Sequence, residues 1–357
     1  CWRGVAMSGD GATVAAVVGE GSIWVSTDYG SSWSETSDPA GGDDDYSTTY
    51  YWRAVAVSSD GTKLAAAHQY GLWTSDDSGA TWSTDTSYSW SDLRDIAMSD
   101  DGYTLAVVEY SGNLRTSSDG YNWNDAYNGY NDLNSQDWQA IAMSADGGTM
   151  VAVATTGYNA GGFYLSTDSG ANWNKAVFGG SASLNLVDVA VAGSGSRLSA
   201  VANGGQVWIS ADAGTTWATE PPAGITPAPT VPMAPAPTPA PSASPRAWSA
   251  IASSADGARL AATVSSGSIY TSADSGASWT EDATAGARNW VSIAMSADGQ
   301  RLAAVEGSVD LSYCDVSGSL WTSSDFGASW TEQAGLGSEC WRGVAMSGDG
   351  ATVAAVV

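Results

Sequence analysis

Gly71-Leu72-Trp73-Thr74-Ser75-Asp76-Asp77-Ser78-Gly79-Ala80-Thr81-Trp82 decides the fold, because its Ser-x-Asp-x-Gly-x-x-Trp core returns along the chain. The aspartates of this turn fall at Asp28, Asp77, Asp119, Asp168, Asp212, Asp274 and Asp325. The closing tryptophans are Trp33, Trp82, Trp123, Trp173, Trp217, Trp279 and Trp330. The third copy is one residue shorter, running Ser117-Ser118-Asp119-Gly120-Tyr121-Asn122-Trp123. Successive aspartates lie 42 to 62 residues apart, a period that accommodates four strands per repeat. The chemistry of the turn is local. A short carboxylate accepts hydrogen bonds from turn amides, glycine supplies a positive φ, and the tryptophan packs beneath.

Working outward, Trp52–Val57 alternates large and small side chains and leads to Asp60-Gly61. That pattern predicts a strand followed by a hairpin turn. Leu64–Ala67 is a short apolar run, as expected for a strand buried on both faces. Leu72–Ser75 forms a third strand, and a fourth starts at Trp82. Four antiparallel strands make one propeller blade. The opening segment recurs at Trp2, Trp52, Leu93, Trp138, Leu186, Trp248, Trp290 and Trp341. Its small residues suit inner strands that converge near an axis. The fifth copy loses the first-hairpin aspartate, reading Ala192-Gly193-Ser194-Gly195-Ser196. The prediction is an all-β chain: a seven-bladed β-propeller of four-stranded antiparallel blades over residues 1–339, with a surplus half-blade at 340–357.

The recurrent turn resembles the Asp-box of the BNR-repeat propellers, a group that includes sialidases, sortilin-type receptors, xyloglucanases and a photosystem assembly factor. The resemblance covers nearly the whole chain outside residues 221–247. It implies the propeller fold and makes the turn a structural fastener. It carries little about activity, because function lives in sites grafted onto such folds.

The formal net charge is −26, and the lysines are Lys63 and Lys175 alone. Clustered cations are needed to hold phosphate, so nucleic acid and anionic lipid are not expected partners. No run of 18 apolar residues occurs, so no membrane insertion is expected. With 18 Trp and 15 Tyr, the chain is unlike a disordered one. Because the sequence opens inside a repeat, Cys1 is expected not to be the natural first residue.

Ten of the eleven prolines fall in residues 221–245. The run from Thr226 to Pro245 predicts polyproline II inserted between blades five and six, spanning 221–247. It resembles the Ala-Pro, Thr-Pro and Ser-Pro tracts of plant and algal hydroxyproline-rich glycoproteins, in which prolines are hydroxylated and carry O-glycans. That resemblance implies secretion to a cell surface, wall or filament. It makes Pro227, Pro229, Pro232, Pro235, Pro237, Pro239, Pro241, Pro245, Thr226, Thr230, Thr238, Ser242 and Ser244 candidate O-glycosylation positions. An unmodified stiff spacer is the alternative. No Asn-x-Ser/Thr acceptor occurs, so any glycan is expected to be O-linked.

The cysteines are Cys1, Cys314 and Cys340. A four-strand meander puts Cys314 and Cys340 on one face, and an oxidising compartment would favour their disulfide over free buried thiols. Residues 340–357 repeat residues 1–18 without a change. Cys1 and Cys340 therefore occupy one position in successive periods, and Cys1 would pair with a neighbouring unit. The duplication reads as one period of 339 residues running into the next, as strand-exchanging closure between chains, or as a boundary that overlaps itself.

Three functions follow. The first is a structural extracellular glycoprotein module that assembles head to tail, or by strand exchange, into a fibre or matrix. The second is a glycan-binding module for extracellular polysaccharide, with Tyr46, Tyr50, Tyr51, Trp90, Tyr127 and Tyr130 as stacking candidates; covering blade edges is the alternative role for these rings. The third is a glycoside hydrolase of Asp-box type. No catalytic set stands out, since arginines are few and Arg3, Arg53 and Arg342 share one repeat position. No metal or cofactor is expected. Asp43-Asp44-Asp45 lacks the alternating spacing of a calcium loop, and His68 reads as structural.

Overall fold

The computed structural model describes residues 1–36, 50–84, 90–126, 133, 136–155, 161–176, 184–219, 246–282, 284–307 and 317–357. The described residues are all-β apart from a 3₁₀ turn at Ala334–Leu336. The described strands group into antiparallel four-stranded meanders of propeller type. In the first, Trp2–Met7 pairs with Val14–Val18, then Ile23–Ser26, then Ser34–Glu35. The second runs Trp52–Val57, Leu64–His68, Gly71–Ser75 and Ser83–Thr84. The same order recurs through the last meander, which ends at Thr331–Glu332. Beyond it, Gly343–Met346 and Val353–Val356 form a two-stranded hairpin.

The second strand of each meander opens with at least four buried residues in a row. Leu64–His68 and Leu302–Glu306 are buried at every position. Alanine dominates there because each such strand is sandwiched between sheets, and short side chains let neighbouring sheets approach. First strands carry a β-bulge after their opening residue, seen as register shifts between Trp2/Gly4, Trp52/Ala54, Trp138/Ala140, Leu186/Asp188, Trp248/Ala250 and Trp290/Ser292. A bulge turns one side chain off the alternating pattern. This accounts for the shared repeat position of Arg3 and Arg53.

A single backbone circuit links the meanders at their first hairpins. Gly9 N–H donates to Ser59 O, Ser59 to Asp100, Asp100 to Ala145, and Ala145 to Gly193. Gly193 continues to Ala255, Ala255 to Ala297, and Ala297 to Gly348. Gly348 N–H then donates to Gly9 O at 2.7 Å, returning to the starting residue. The end hairpin is thus a full member of the circuit, placed between the last meander and the first.

Gly11 shows how tightly that member sits. Its φ is +76°, and a Cβ there would lie 2.7 Å from Thr352 Cβ. Gly11→Ala should therefore lower stability by about 1–2 kcal/mol from the left-handed backbone alone, and by more if Thr352 cannot yield. An unchanged urea midpoint would refute this seating.

Candidate functional site

The Asp-box turns are built alike. In the first, Ser26 Oγ donates to Asp28 Oδ1, and Gly30 N–H donates to Ser26 Oγ at 2.9 Å. Ser32 N–H and its hydroxyl donate to the two oxygens of Asp28. These bonds, led by those from Ser32, hold the Asp28 carboxyl below its usual value. Two successive residues take positive φ, Tyr29 at 61° and Gly30 at 81°. The shortened third turn retains only Gly120, at 78°. The first-hairpin aspartate closes a second fastener through a serine two residues before it. In the first hairpin, Ser8 Oγ donates to Asp10 Oδ1 and accepts from Thr13 N–H. The signal was the Ser-x-Asp-Gly spacing, which recurs as Ser58-Asp60 and Ser296-Asp298.

The box tryptophan does not pack within its own meander alone. Ile23 on the first meander's third strand shares a buried cluster with Trp52, Trp73 and Trp82 of the second. Leu114 is likewise held with Trp138, Tyr164 and Trp173, and Ile269 with Trp290, Trp321 and Trp330. In the second, fourth, sixth and seventh meanders an opening tryptophan, a third-strand aromatic and the box tryptophan close as a clamp on an aliphatic residue of the preceding third strand; the third and fifth open with Leu93 and Leu186 instead.

The first meander's clamp is Trp2, Trp24 and Trp33. Its predecessor is the end hairpin, which has no third strand among the described residues. These three rings instead line an open groove of about 620 Å³, with Leu336, Trp341 and Ala355 on its other walls. Trp33 is 39% exposed, against 7% for Trp82 and 1% for Trp173. Val353–Val356 forms one side of the groove and, among the described residues, pairs only with Gly343–Met346. Its inner neighbours hold it firmly: Trp2 N–H donates to Val357 O at 2.9 Å, and Arg301 Nη1 to Gly350 O at 3.1 Å. Val344 packs with Ala303, Val305 and Leu320. The arrangement can accept another β-strand by its edge and an aliphatic side chain by its clamp.

The other sequence candidates are placed as follows. Trp90 is buried, edge-on to Trp123 and beneath the Arg115 guanidinium. Tyr50 packs on Trp52, His68 and Trp73. Both rings are engaged internally, which corrects the expectation that they offer free stacking faces. Tyr51 is exposed. Tyr46, Tyr127, Tyr130, the acidic run at Asp43–Asp45 and the tract from Thr226 to Pro245 lie outside the described residues. Cys340 is disulfide-bonded and Cys1 is a free exposed thiol; Cys314 lies outside the described residues. His68 sits between Tyr50 and Trp52, and its Nδ1 accepts from Tyr70 N–H. Burial lowers its pKa to about 4, so it is neutral at physiological pH.

Several charged groups stand out only in three dimensions. Asp95 and Asp188 follow the bulge on their strands, and each bridges to a first strand further round the circuit. Asp95 accepts from Ile96 and Ile141 N–H, and Asp188 from Val189 and Ile251 N–H, all at 2.9 Å. Both retain some solvent contact, yet protein surrounds them, and desolvation raises their pKa to about 6 and about 7. With both oxygens engaged by amides, they act as struts. Arg3 is held below its usual value by burial and by the nearby Arg53 and Arg342, so these three arginines, which share one repeat position, are close neighbours. Glu109 anchors a buried ion pair with Arg115, and Glu306 a partly exposed one with Arg288.

A family model for the BNR-Asp box repeat matches residues 320–333. No curated protein sequence matches the chain. Among solved structures, the GH74 enzyme of Niastella koreensis is similar at a TM-score of 0.55 and 16% identity, covering 99% of this chain and 62% of that one. The chain thus spans less than two thirds of that enzyme. YCF48 from Cyanidioschyzon merolae is similar at a TM-score of 0.59 and 14% identity, covering 85% and 92%. A structure of YCF48 bound to D1 peptide is similar at 0.56 and 15%, covering 85% and 89%. At these identities the likeness shows the propeller fold alone.

Proposed function

We propose that this chain is a structural module of a repetitive extracellular assembly, in which like modules join through shared blade strands. We read the backbone circuit as a ring of eight sectors, seven complete blades and one half-blade. The single observation that carries the proposal is the half-blade. It repeats the inner hairpin of the first blade residue for residue, is locked into the circuit, and leaves its outer edge and a tryptophan clamp open.

Stoichiometry supports the assembly. The chain carries two identical inner hairpins, residues 1–18 and 340–357, but one outer hairpin that matches them, Ile23–Glu35. In an array with a 339-residue period, each inner hairpin meets one outer hairpin and the count balances. Open-ended contacts of this kind generate filaments. The Ala-Pro, Thr-Pro and Ser-Pro tract supports an O-glycosylated extracellular setting.

The expected result is a filament or lattice in electron micrographs of native material, with hydroxylated, glycosylated proline peptides by mass spectrometry. Native material consisting of isolated single modules would sink the assembly reading.

A further inference from the structure

We infer that the groove beside Val353–Val356 is a docking site for the outer hairpin of a like module, a segment of the character of Gly19–Thr36. The inference rests on the assembly reading and adds the surface, the segment and the register.

The first blade shows what the edge accepts. There Val14, Ala15, Ala16 and Val17 face Ser26, Val25, Trp24 and Ile23. Val353, Ala354, Ala355 and Val356 are the same four residues in the same order. Incoming equivalents of Ser26, Val25, Trp24 and Ile23 therefore lie opposite Val353, Ala354, Ala355 and Val356. The outward hydrogen bonds are also assigned. Val18 N–H donates to Ser22 O across the outer edge, and alternation along an antiparallel strand gives Ala16 and Val14 the same direction. Their counterparts Ala355 and Val353 point into the groove, while Val356 O turns inward to accept from Arg342 N–H.

The side-chain chemistry agrees with the backbone. Ile23 is fully buried among Trp52, Trp73 and Trp82. Trp2, Trp24 and Trp33 occupy the same three repeat positions and face the groove. An isoleucine entering at the matching register meets all three rings, buries the exposed face of Trp33 and completes the clamp. Main-chain pairing supplies attachment and the clamp supplies selectivity, as in other strand-addition interfaces.

The test uses the 357-residue chain with a synthetic peptide of residues 19–36, read by amide hydrogen exchange. Saturable binding should slow exchange at Val353 and Ala355 at least ~10-fold, since exchange reports local opening. The Ile23→Asp peptide should lose this protection. Ala355→Pro in the chain removes an outward donor on an edge strand, where proline is tolerated, and should abolish binding while the rest of the ring keeps its protection. The same 18 residues appended after Val357 should protect Val353 and Ala355 intramolecularly. Protection in neither arrangement, or peptide binding equal in the Ala355→Pro chain, overturns the docking site. Peptide binding without multimers in native material would sink the assembly reading and leave the docking site standing. Multimers that survive Ala355→Pro would do the reverse.

Discussion

Trp173→Ala should destabilise the chain by about 3–5 kcal/mol, whereas Trp33→Ala, at the same position of the same turn, should cost about 1 kcal/mol or less. Both tryptophans close an Asp-box and donate Nε1–H to a carbonyl of their own turn, Gly170 O and Gly30 O, each at 3.1 Å. Their local chemistry is therefore matched. They differ in what lies on the other side. Trp173 is 1% exposed in a cluster with Leu114, Trp138 and Tyr164. Trp33 is 39% exposed on the groove. Removing Trp173 leaves a large cavity between two sheets, where surrounding strands cannot collapse. Removing Trp33 widens a space already open to water. Urea unfolding of both variants at low protein concentration measures the difference. Equal losses would show that the turn, rather than the clamp, sets the value of the ring. With the hairpin peptide bound, the loss at Trp33 should rise toward that at Trp173.

The stability of Asp188→Asn relative to wild type should rise by about 1–3 kcal/mol between pH 4 and pH 8. The folded pKa of Asp188 is raised to about 7 from 3.8. Between these values the folded chain binds a proton that the unfolded chain has released. Stability from this group is highest at low pH, falls as pH rises from about 4, and reaches its floor above about 7. Asparagine keeps an acceptor for Ile251 N–H, gives up the one for Val189 N–H at every pH, and has no charge to bury. Asp95, raised to about 6, should show the same sign with a smaller gain. Unfolding curves for wild type and Asp188→Asn at pH 4, 6 and 8 test this. A stability difference that does not grow with pH would remove desolvation as the cause.

These two predictions mark where sequence reading stops. The Asp-box and its spacing were legible because every partner lies within eight residues: Ser26, Asp28, Gly30, Ser32 and Trp33 make their bonds to one another. The four-strand order was legible for a related reason, since short turns force consecutive strands to pair. In sequence Asp95 and Asp188 are indistinguishable from the other aspartates of an Asp-rich chain. Their character comes from Ile141 and Ile251, 46 and 63 residues away. Trp90 and Tyr50 looked like stacking platforms because sequence shows a ring but not what covers it.

The sequence by itself determined the repeat, the strand pattern, the fasteners and the identity of the two ends, because each is a short-range or directly countable property. The tertiary structure alone decided that the second copy of residues 1–18 enters the backbone circuit, and that the seven box tryptophans are not equivalent. The physical reason is that the other turn tryptophans pack on the third strand of the sector before them, and Trp33 has none there among the described residues. Whether that strand is there depends on ring order and is not encoded in the turn.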